Sequence, residues 1–235
     1  MQGADAAGRR VLVLADGAAP DRAALDAAWR GWDDRIDAVV AADGGARLAG
    51  PLGLAIDRWV GDGDSLGADA VEALRAAGVR VDLARRDKDE TDSELALLAA
   101  TEVPGVGRIT ILGALGGPRV DHALANVGLL GHPAAAGLAV EILDPGARIR
   151  LLDAGMTGPG SSMDLGGRTG DLVSLIPLGE VDGVVTSGLR YPLRGEPLPP
   201  GLARGISNVR EDAHAAVTIR SGRLLVVEVP ATLRT

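Results

Sequence analysis

The stretch Trp59–Leu83, WVGDGDSLGADAVEALRAAGVRVDL, contains one complete strand–helix–strand unit. A short apolar strand at Trp59–Val60 runs into a turn rich in Gly and Asp. A helix is predicted over Ala68–Ala77, where Gly78 ends it, and the apolar run Val79–Leu83 predicts the next strand. Two strands joined through a helix run parallel to each other, so this stretch predicts a parallel β-sheet.

The same alternation of apolar runs and helical patterns extends from Arg10 to about Asp144. The predicted strands, continuously apolar as is typical of strands covered on both faces, are Val11–Leu14, Ala38–Ala41, Ile109–Leu112 and Val140–Leu143. Further helices are predicted over Pro20–Arg30, Asp92–Ala100 and Val120–Leu130. The segment Thr91-Asp92-Ser93-Glu94 fits a capping box at the start of one of them. We therefore predict a three-layer α/β domain over residues 1–145, with a parallel sheet between helices.

The character of the chain changes after Pro145. Residues 154–170 are rich in Gly and Ser, and no helical period follows them. Short strands are predicted at Leu172–Ile176, Val184–Thr186, Ala216–Arg220 and Leu224–Val229, with Ser221-Gly222 as a two-residue hairpin turn between the last two. These features predict a smaller all-β sandwich domain over residues 146–235.

Composition excludes several classes of protein. The chain has 235 residues and a formal net charge of −8, without the basic excess of a nucleic-acid-binding protein. Its only aromatic residues are three Trp and one Tyr, too few for stacking on single-stranded nucleic acid. The absence of Cys excludes disulfides and zinc–thiolate sites. No signal peptide or membrane-spanning run is visible, so we expect a cytoplasmic protein that binds no membrane.

Polar residues collect where four predicted strands end, which is where doubly wound sheets bind ligands. The four segments are Asp43-Gly44-Gly45, Gly61-Asp62-Gly63-Asp64-Ser65, Asp87-Lys88-Asp89-Glu90-Thr91-Asp92 and Gly113 to His122. Asp62 and Asp64, together with Asp92, could hold a Mg²⁺ ion that bridges to phosphate oxygens. The competing interpretation of Asp62 to Ser65 is a turn followed by a helix N-cap.

Lys88 is the one Lys among 24 basic residues. Ammonium and guanidinium groups differ in size and geometry, so a single Lys in an Arg-rich chain indicates a specific role. Chance survival on a solvated loop is the alternative. The three His residues carry less signal: His122 could help to bind substrate, whereas His132 and His214 are predicted to lie at the surface.

The order and spacing of seven motifs resemble the thiamine pyrophosphokinase family. Besides the strand-end segments, continued to Asn126, these motifs include Ser174-Leu175-Ile176-Pro177, Gly188 to Leu193 and Gly205-Ile206-Ser207-Asn208. The resemblance implies an α/β domain followed by a β-sandwich, and transfer of pyrophosphate from ATP to the hydroxyethyl group of thiamine, which leaves AMP. It also implies a homodimer whose sites lie between subunits.

The resemblance further implies a role for individual residues. Asp62, Asp64 and Asp92 would be magnesium ligands, and Lys88, Thr91 and Arg119 would contact phosphates. The remaining ATP-site residues would be Asp43, Gly44, Gly45, Gly116, Gly117 and Asp121. Tyr191, Ser207 and Asn208 would contact thiamine. This chain departs from the family pattern at Gly63, where an aromatic residue is common, and at Pro118, which separates the Gly pair from Arg119.

Two other functions are compatible with these motifs. A pyrophosphokinase for a different alcohol, such as a pterin, would share the fold and the metal site. A non-catalytic sensor of thiamine or a nucleotide would have no need of three metal-binding carboxylates.

The identity of the general base stays open. A carboxylate such as Asp92 or Asp64 could accept the hydroxyl proton of the acceptor, although a metal-bound carboxylate is a poor base.

Overall fold

The computed structural model describes residues 8–157 and 160–231. The chain divides into two compact units, of which the first ends at Pro145 and the second begins at Gly146. None of the described helices has the length and apolar character that a helix needs to cross a membrane.

The first unit is built on six parallel strands, in the order β6-β5-β1-β2-β3-β4. Their bounds are β1 Arg9–Leu14, β2 Ala38–Ala42, β3 Arg58–Gly61, β4 Arg80–Leu83, β5 Val106–Leu112 and β6 Ala139–Asp144. All six predicted strands are present, each extended or displaced by no more than three residues at either end.

Five helices accompany these strands: α1 Arg22–Ala28, α2 Ala49–Leu52, α3 Ala68–Ala76, α4 Asp92–Thr101 and α5 Val120–Gly128. Short 3-10 helices cover Asp43–Leu48, Leu129–Gly131 and Pro133–Ala135. Half of the predicted capping box at α4 is present, because Thr91 Oγ1 accepts a hydrogen bond from Glu94 N at 3.2 Å. The Glu94 carboxylate contacts His132 Nε2 at 3.3 Å.

Helices cover both faces of the sheet, as predicted. One apolar cluster joins Leu12 and Leu14 of β1 to Leu25 of α1 and Val71 of α3. Helix α4 packs against β1, β2 and β3 and buries Leu97 there. Because α4 returns the chain from the edge strand β4 to β5, the right-handed crossover places it on the opposite face from α1 and α3.

Strand β1 lies at the point where the direction of chain progression reverses. Its neighbours are β2 on one side and β5 on the other. The connections that leave β1 and β5 diverge at their carboxyl ends, which opens a crevice there. The topology therefore places the segments after β1, β2, β3 and β5 at one edge of the sheet.

The second unit contains two antiparallel sheets packed into a sandwich, as predicted. Its strands are β7 Ala147–Asp153, β8 Ser161–Leu165, β9 Leu172–Pro177, β10 Val181–Ser187, β11 Arg194–Leu198, β12 Asn208–Val209, β13 Ala215–Ile219 and β14 Arg223–Val229, with a one-turn helix α6 at Ala154–Thr157. The strand orders are β12-β9-β14-β7 and β11-β10-β13-β8. Inward-facing Leu and Val side chains from both sheets, including Val217 and Val226, form the core between them.

The predicted hairpin at Ser221-Gly222 is wrong. Strand β13 pairs with β8 and β10, whereas β14 pairs with β7 and β9, so this turn carries the chain from one sheet to the other. Alternation in β13 shows which of its side chains are buried, but it does not show which strands β13 pairs with. Strands β7, β8, β11 and β12 were not predicted.

Candidate functional site

A cleft of about 570 Å³ opens at the carboxyl edge of the parallel sheet, within the first unit. Its walls come mainly from the segments that follow β1, β4 and β5 and from the start of α4. Charged and polar side chains from these segments line it, among them Asp16, Lys88, Asp92, Arg119, His122 and Asn126. The cleft thus brings together predicted residues that follow β4 and β5. From β2 and the segment after β3 only Ala42 and Ser65 line it, and Asp43, Asp62 and Asp64 do not.

Asp43 follows β2 directly and has an unusual backbone conformation. Its φ is 38°, in the left-handed region of backbone conformation that residues other than Gly rarely adopt. The residue is buried, and its carboxylate accepts hydrogen bonds from Ser65 N at 3.2 Å and Leu66 N at 3.0 Å. Asp43 thus joins the end of β2 to the segment Asp62–Leu66, which we call the aspartate loop.

Gly44 and Gly45 allow the chain to pass close to the end of β1. A Cβ atom on Gly44 would overlap the carboxylate of Asp16, and one on Gly45 would overlap the main-chain O of Leu14. A side chain at Gly45 would therefore require movement of the backbone, whereas one at Gly44 would require the Asp16 side chain to move. Gly44 and Gly45, which were predicted for the phosphate site, therefore also allow close packing against Asp16 and the end of β1.

Among the described residues, three carboxylates are close enough to hold one metal ion: Asp43, Asp62 and Asp64, whose ligand oxygens lie within 4.8 Å of one another. Hard oxygen donors of this kind are the ligands that Mg²⁺ prefers, so the donor set fits that ion. Asp62 and Asp64 were predicted for this role. Asp43 was predicted only to help shape the ATP site.

The electrostatics of this group differ from one carboxylate to the next. Desolvation raises the pKa of Asp43 despite the two backbone hydrogen bonds that it accepts, and the charge of Asp92 adds to the rise. Desolvation acts in the same direction on Asp64, but hydrogen bonds with Asp43, Asp62 and Ser65 outweigh it and lower the pKa of Asp64. A cation placed among these oxygens would favour their charged forms.

Asp92, the third predicted metal ligand, lies outside this group of three. Its Oδ1 lies 2.5 Å from Nζ of Lys88, and both side chains are largely buried. The ion pair crosses from the segment after β4 to the first turn of α4. The structure thus brings Lys88, Thr91 and Asp92 to the cleft, as the strand-end argument predicted, and it connects the ammonium group with a carboxylate.

Arg119 lies at the cleft despite the preceding Pro118, which also lines it. Its guanidinium group forms two hydrogen bonds with Asp121, with Nε–Oδ1 at 2.9 Å and Nη2–Oδ2 at 2.5 Å. The hydrogen bonds from Arg119 lower the pKa of the exposed Asp121. Gly116 and Gly117, with φ of 74° and 78°, turn the chain just before this pair.

The positions of Asp16 and His132 differ from expectation: no role was predicted for Asp16, and His132 is less exposed than predicted. Asp16 follows β1 and lines the cleft, where its Oδ1 lies 3.7 Å from Nη1 of Arg47. The signal that could have found it is its position before Gly17 at the end of a predicted strand. His132 was predicted at the surface but is partly buried, with Nε2 at 3.3 Å from Oε1 of Glu94. His214 is exposed, as predicted.

In the second unit, the predicted thiamine-site residues Tyr191 and Asn208 are directly connected. Asn208 is buried; its Oδ1 accepts from Tyr191 N at 3.0 Å and its Nδ2 donates to Tyr191 O at 2.7 Å. Tyr191 as a whole residue is 64% exposed. Ser207 is also exposed, with φ of 58°, and its N–H donates to Ser174 Oγ at 3.0 Å.

Comparison with known proteins agrees with this arrangement. The family model described as thiamin pyrophosphokinase, catalytic domain, matches residues 31–142. The model described as thiamin pyrophosphokinase, vitamin B1 binding domain, matches residues 162–226. This chain belongs to the thiamin pyrophosphokinase family. The two matches fall within the two units of the structure, and together they contain every predicted site residue.

Solved structures of thiamin pyrophosphokinases have the same fold as this family member. The enzyme from Bacillus subtilis has a TM-score of 0.78 and 24% identity, over 94% of this chain and 99% of that one. The enzyme from Geobacillus thermodenitrificans has a TM-score of 0.75 and 26% identity, over 94% of this chain and 97% of that one. The enzyme from Candida albicans has a TM-score of 0.74 and 16% identity, over 94% of this chain and 89% of that one. A comparison with curated protein sequences found no match.

Proposed function

We propose that this member of the family transfers the terminal pyrophosphate of ATP to the hydroxyethyl group of thiamine and releases AMP. The observation that carries the proposal is the carboxyl edge of the parallel sheet, where three clustered carboxylates follow β2 and β3, next to a cleft that Ser65, Lys88 and Arg119 line. Such a site suits a polyphosphate bound with a divalent ion. The match of the second unit to a vitamin B1 binding model supports thiamine as the acceptor.

Asp62 and Asp64, with Asp43 as the third oxygen donor, would hold the Mg²⁺ ion. When bound, the ion would neutralise charge on the phosphate oxygens. Asp43 also keeps its neighbours in place, because its carboxylate accepts the N–H groups of Ser65 and Leu66. We assign Asp92, predicted as a metal ligand, to orientation of Lys88, with which it is paired.

Lys88 and Arg119 would act on the phosphate chain as fixed positive charges. Each is held by a carboxylate, Lys88 by Asp92 and Arg119 by Asp121, so that little side-chain reorganisation is required when the substrate binds. The thiamine hydroxyl oxygen would attack the β-phosphorus of ATP, and the bond from that phosphorus to the oxygen bridging to the α-phosphate would break. AMP leaves, and the hydroxyl proton is released.

The second unit would bind the vitamin. Tyr191 is the one Tyr of the chain, and its exposed ring is free to stack on an aromatic ring of thiamine. Asn208 uses both ends of its amide on the main chain of Tyr191, which supports a positioning role for Asn208. The exposed Ser207 would offer its hydroxyl group to the ligand. We further propose that the enzyme works as a cytoplasmic homodimer whose sites lie between subunits.

The proposal is tested by incubating the purified protein with ATP, Mg²⁺ and thiamine and separating the nucleotides by chromatography. AMP should form only when thiamine is present, in a one-to-one ratio with thiamine diphosphate. Replacement of thiamine by a hydroxymethyl pterin should give no AMP. Turnover of the pterin would identify a different acceptor, and binding of thiamine without any turnover would identify a sensor.

A further inference from the structure

The three tryptophans of the chain are all buried, and each donates a hydrogen bond from its indole nitrogen. Trp29 Nε1 donates to Asp144 O at 2.8 Å, and Trp32 Nε1 donates to Asp26 Oδ1 at 2.7 Å. Trp59 Nε1 donates to the main-chain O of Asp43 at 3.0 Å. All three belong to one apolar cluster, yet only Trp59 donates to a residue of the candidate site.

Trp59 lies on β3, the strand that leads into the aspartate loop, and is fully buried. A Cβ atom on Gly61 would lie 3.1 Å from Cζ2 of its ring and 2.8 Å from Cβ of Asp43. A Cβ atom on Gly63 would lie 3.9 Å from Cη2 of the same ring. The indole therefore packs beneath both Gly61 and Gly63, and the absence of a side chain at Gly61 lets Asp43 and the indole approach this closely.

Asp43 is the residue that this arrangement constrains. A left-handed conformation at a residue other than Gly is maintained only when its surroundings hold it there. The indole N–H supplies the partner for the carbonyl of Asp43 inside the core, where an unpaired carbonyl would be costly. From this conformation the carboxylate of Asp43 reaches the N–H groups of Ser65 and Leu66.

We propose that Trp59 is a positioning residue for the metal-binding carboxylates. Its indole N–H fixes the backbone of Asp43, and Asp43 in turn fixes the aspartate loop that carries Asp62 and Asp64. The role needs the N–H group and not only the bulk of the ring. The part of this inference that concerns Mg²⁺ rests on the proposed function, whereas the part that concerns the order of the loop does not.

The test compares Trp59→Phe with Trp29→Phe, in protein without metal. Both substitutions keep an aromatic ring in the same apolar cluster and remove an indole N–H that serves a main-chain oxygen. Hydrogen exchange followed by NMR should show the amides of Ser65 and Leu66 exchanging at least about tenfold faster in Trp59→Phe than in Trp29→Phe, as loss of one supporting hydrogen bond predicts. Equal exchange rates at these two amides in the two variants would overturn the proposal.

A second measurement uses the unmodified protein, so it remains available if Trp59→Phe does not fold. In native-state exchange, the indole N–H of Trp59 and the amides of Ser65 and Leu66 should open together, with the same dependence on denaturant. The indole N–H of Trp32 should open separately. If the two amides exchange through a smaller opening while the Trp59 indole stays protected, the proposal is wrong.

The metal part is tested by calorimetric titration with Mg²⁺ in the absence of nucleotide. Trp59→Phe should bind the ion about tenfold more weakly than Trp29→Phe, the size of effect typical of residues that orient metal ligands. Equal affinity would show that Trp59 does not act on the ligands. If the unmodified protein binds no Mg²⁺, the metal assignment of the proposed function fails, and the exchange experiments still decide the role of Trp59 in the loop.

Discussion

The ammonium nitrogen of Lys88 lies 2.5 Å from Oδ1 of Asp92, the first residue of helix α4. The Lys88 side chain is only 14% exposed at this position, so the pair is not a freely solvated surface contact. A compact ammonium group fits between a carboxylate and a phosphate oxygen, whereas a guanidinium group is broader and favours a planar partner. This geometry favours a specific role for Lys88 over chance survival on a solvated loop.

Lys88→Arg should therefore lower kcat by at least about tenfold, equivalent to about 1.4 kcal/mol of transition-state stabilisation, although the charge is kept. Steady-state kinetics of the purified variant provide the measurement. Arg75→Lys is the control, because Arg75 forms an exposed pair with Glu72 three residues away on α3. A kcat for Lys88→Arg within twofold of the unmodified enzyme would show that either cation serves.

Asp62→Asn and Asp64→Asn should each abolish turnover without unfolding the protein, because both changes remove charge and keep volume. Asp62 is only partly buried and Asp64 is exposed, so neither substitution disturbs the core. Asp69→Asn, an exposed position in the first turn of α3, should keep its activity. Activity and circular dichroism of all three variants should be measured together. Mg²⁺-dependent activity within a few-fold of the unmodified enzyme in both loop variants would disprove the metal assignment.

Tyr191→Ala should raise the KM for thiamine far more than the KM for ATP, since the exposed ring is proposed to stack on the vitamin. Tyr191→Phe keeps the ring and should leave the KM for thiamine nearly unchanged. Asn208→Ala should act in the same direction as Tyr191→Ala, because it removes the two hydrogen bonds that hold the Tyr191 backbone. Parallel increases in both KM values would point to a general loss of structure instead.

His132→Ala should reduce the free energy of unfolding by about 1 kcal/mol, the size expected for one partly buried hydrogen-bonded contact. His132 contacts Glu94 in the first turn of α4 and also accepts a hydrogen bond from Ala134 N. His214→Ala, at an exposed position, should change the free energy of unfolding by less than about 0.5 kcal/mol. Denaturant titrations of both variants make the comparison, and equal effects would contradict the inferred contact.

The parallel unit was predictable because its strands and helices have strong local signals. Continuous apolar runs such as Val11–Leu14 can be buried only when helices cover both faces of the sheet, and Thr91 caps α4 as its sequence indicates. The β unit was less predictable. The turn after Ile219 links two sheets rather than two paired strands, and alternation does not distinguish these cases.

The composition of the site was predictable only in part. The positions of Asp62, Asp64, Lys88 and Arg119 after predicted strands indicated that these residues lie at one edge of the sheet. It did not reveal that Asp43 groups with Asp62 and Asp64, because that grouping depends on a left-handed residue and on a Trp hydrogen bond that leave no mark in the sequence. The pairing of Asp92 with Lys88 likewise depends on where α4 begins relative to the preceding turn.

The most direct test of the account follows each phosphorus atom of ATP through the reaction. The enzyme is supplied with Mg²⁺, thiamine and ATP that carries radioactive phosphorus at the α, β or γ position in separate reactions. Transfer of pyrophosphate predicts that the β and γ labels both appear in the thiamine product, while the α label stays in AMP. Transfer of the γ label alone, with the β label retained in ADP, would contradict the account.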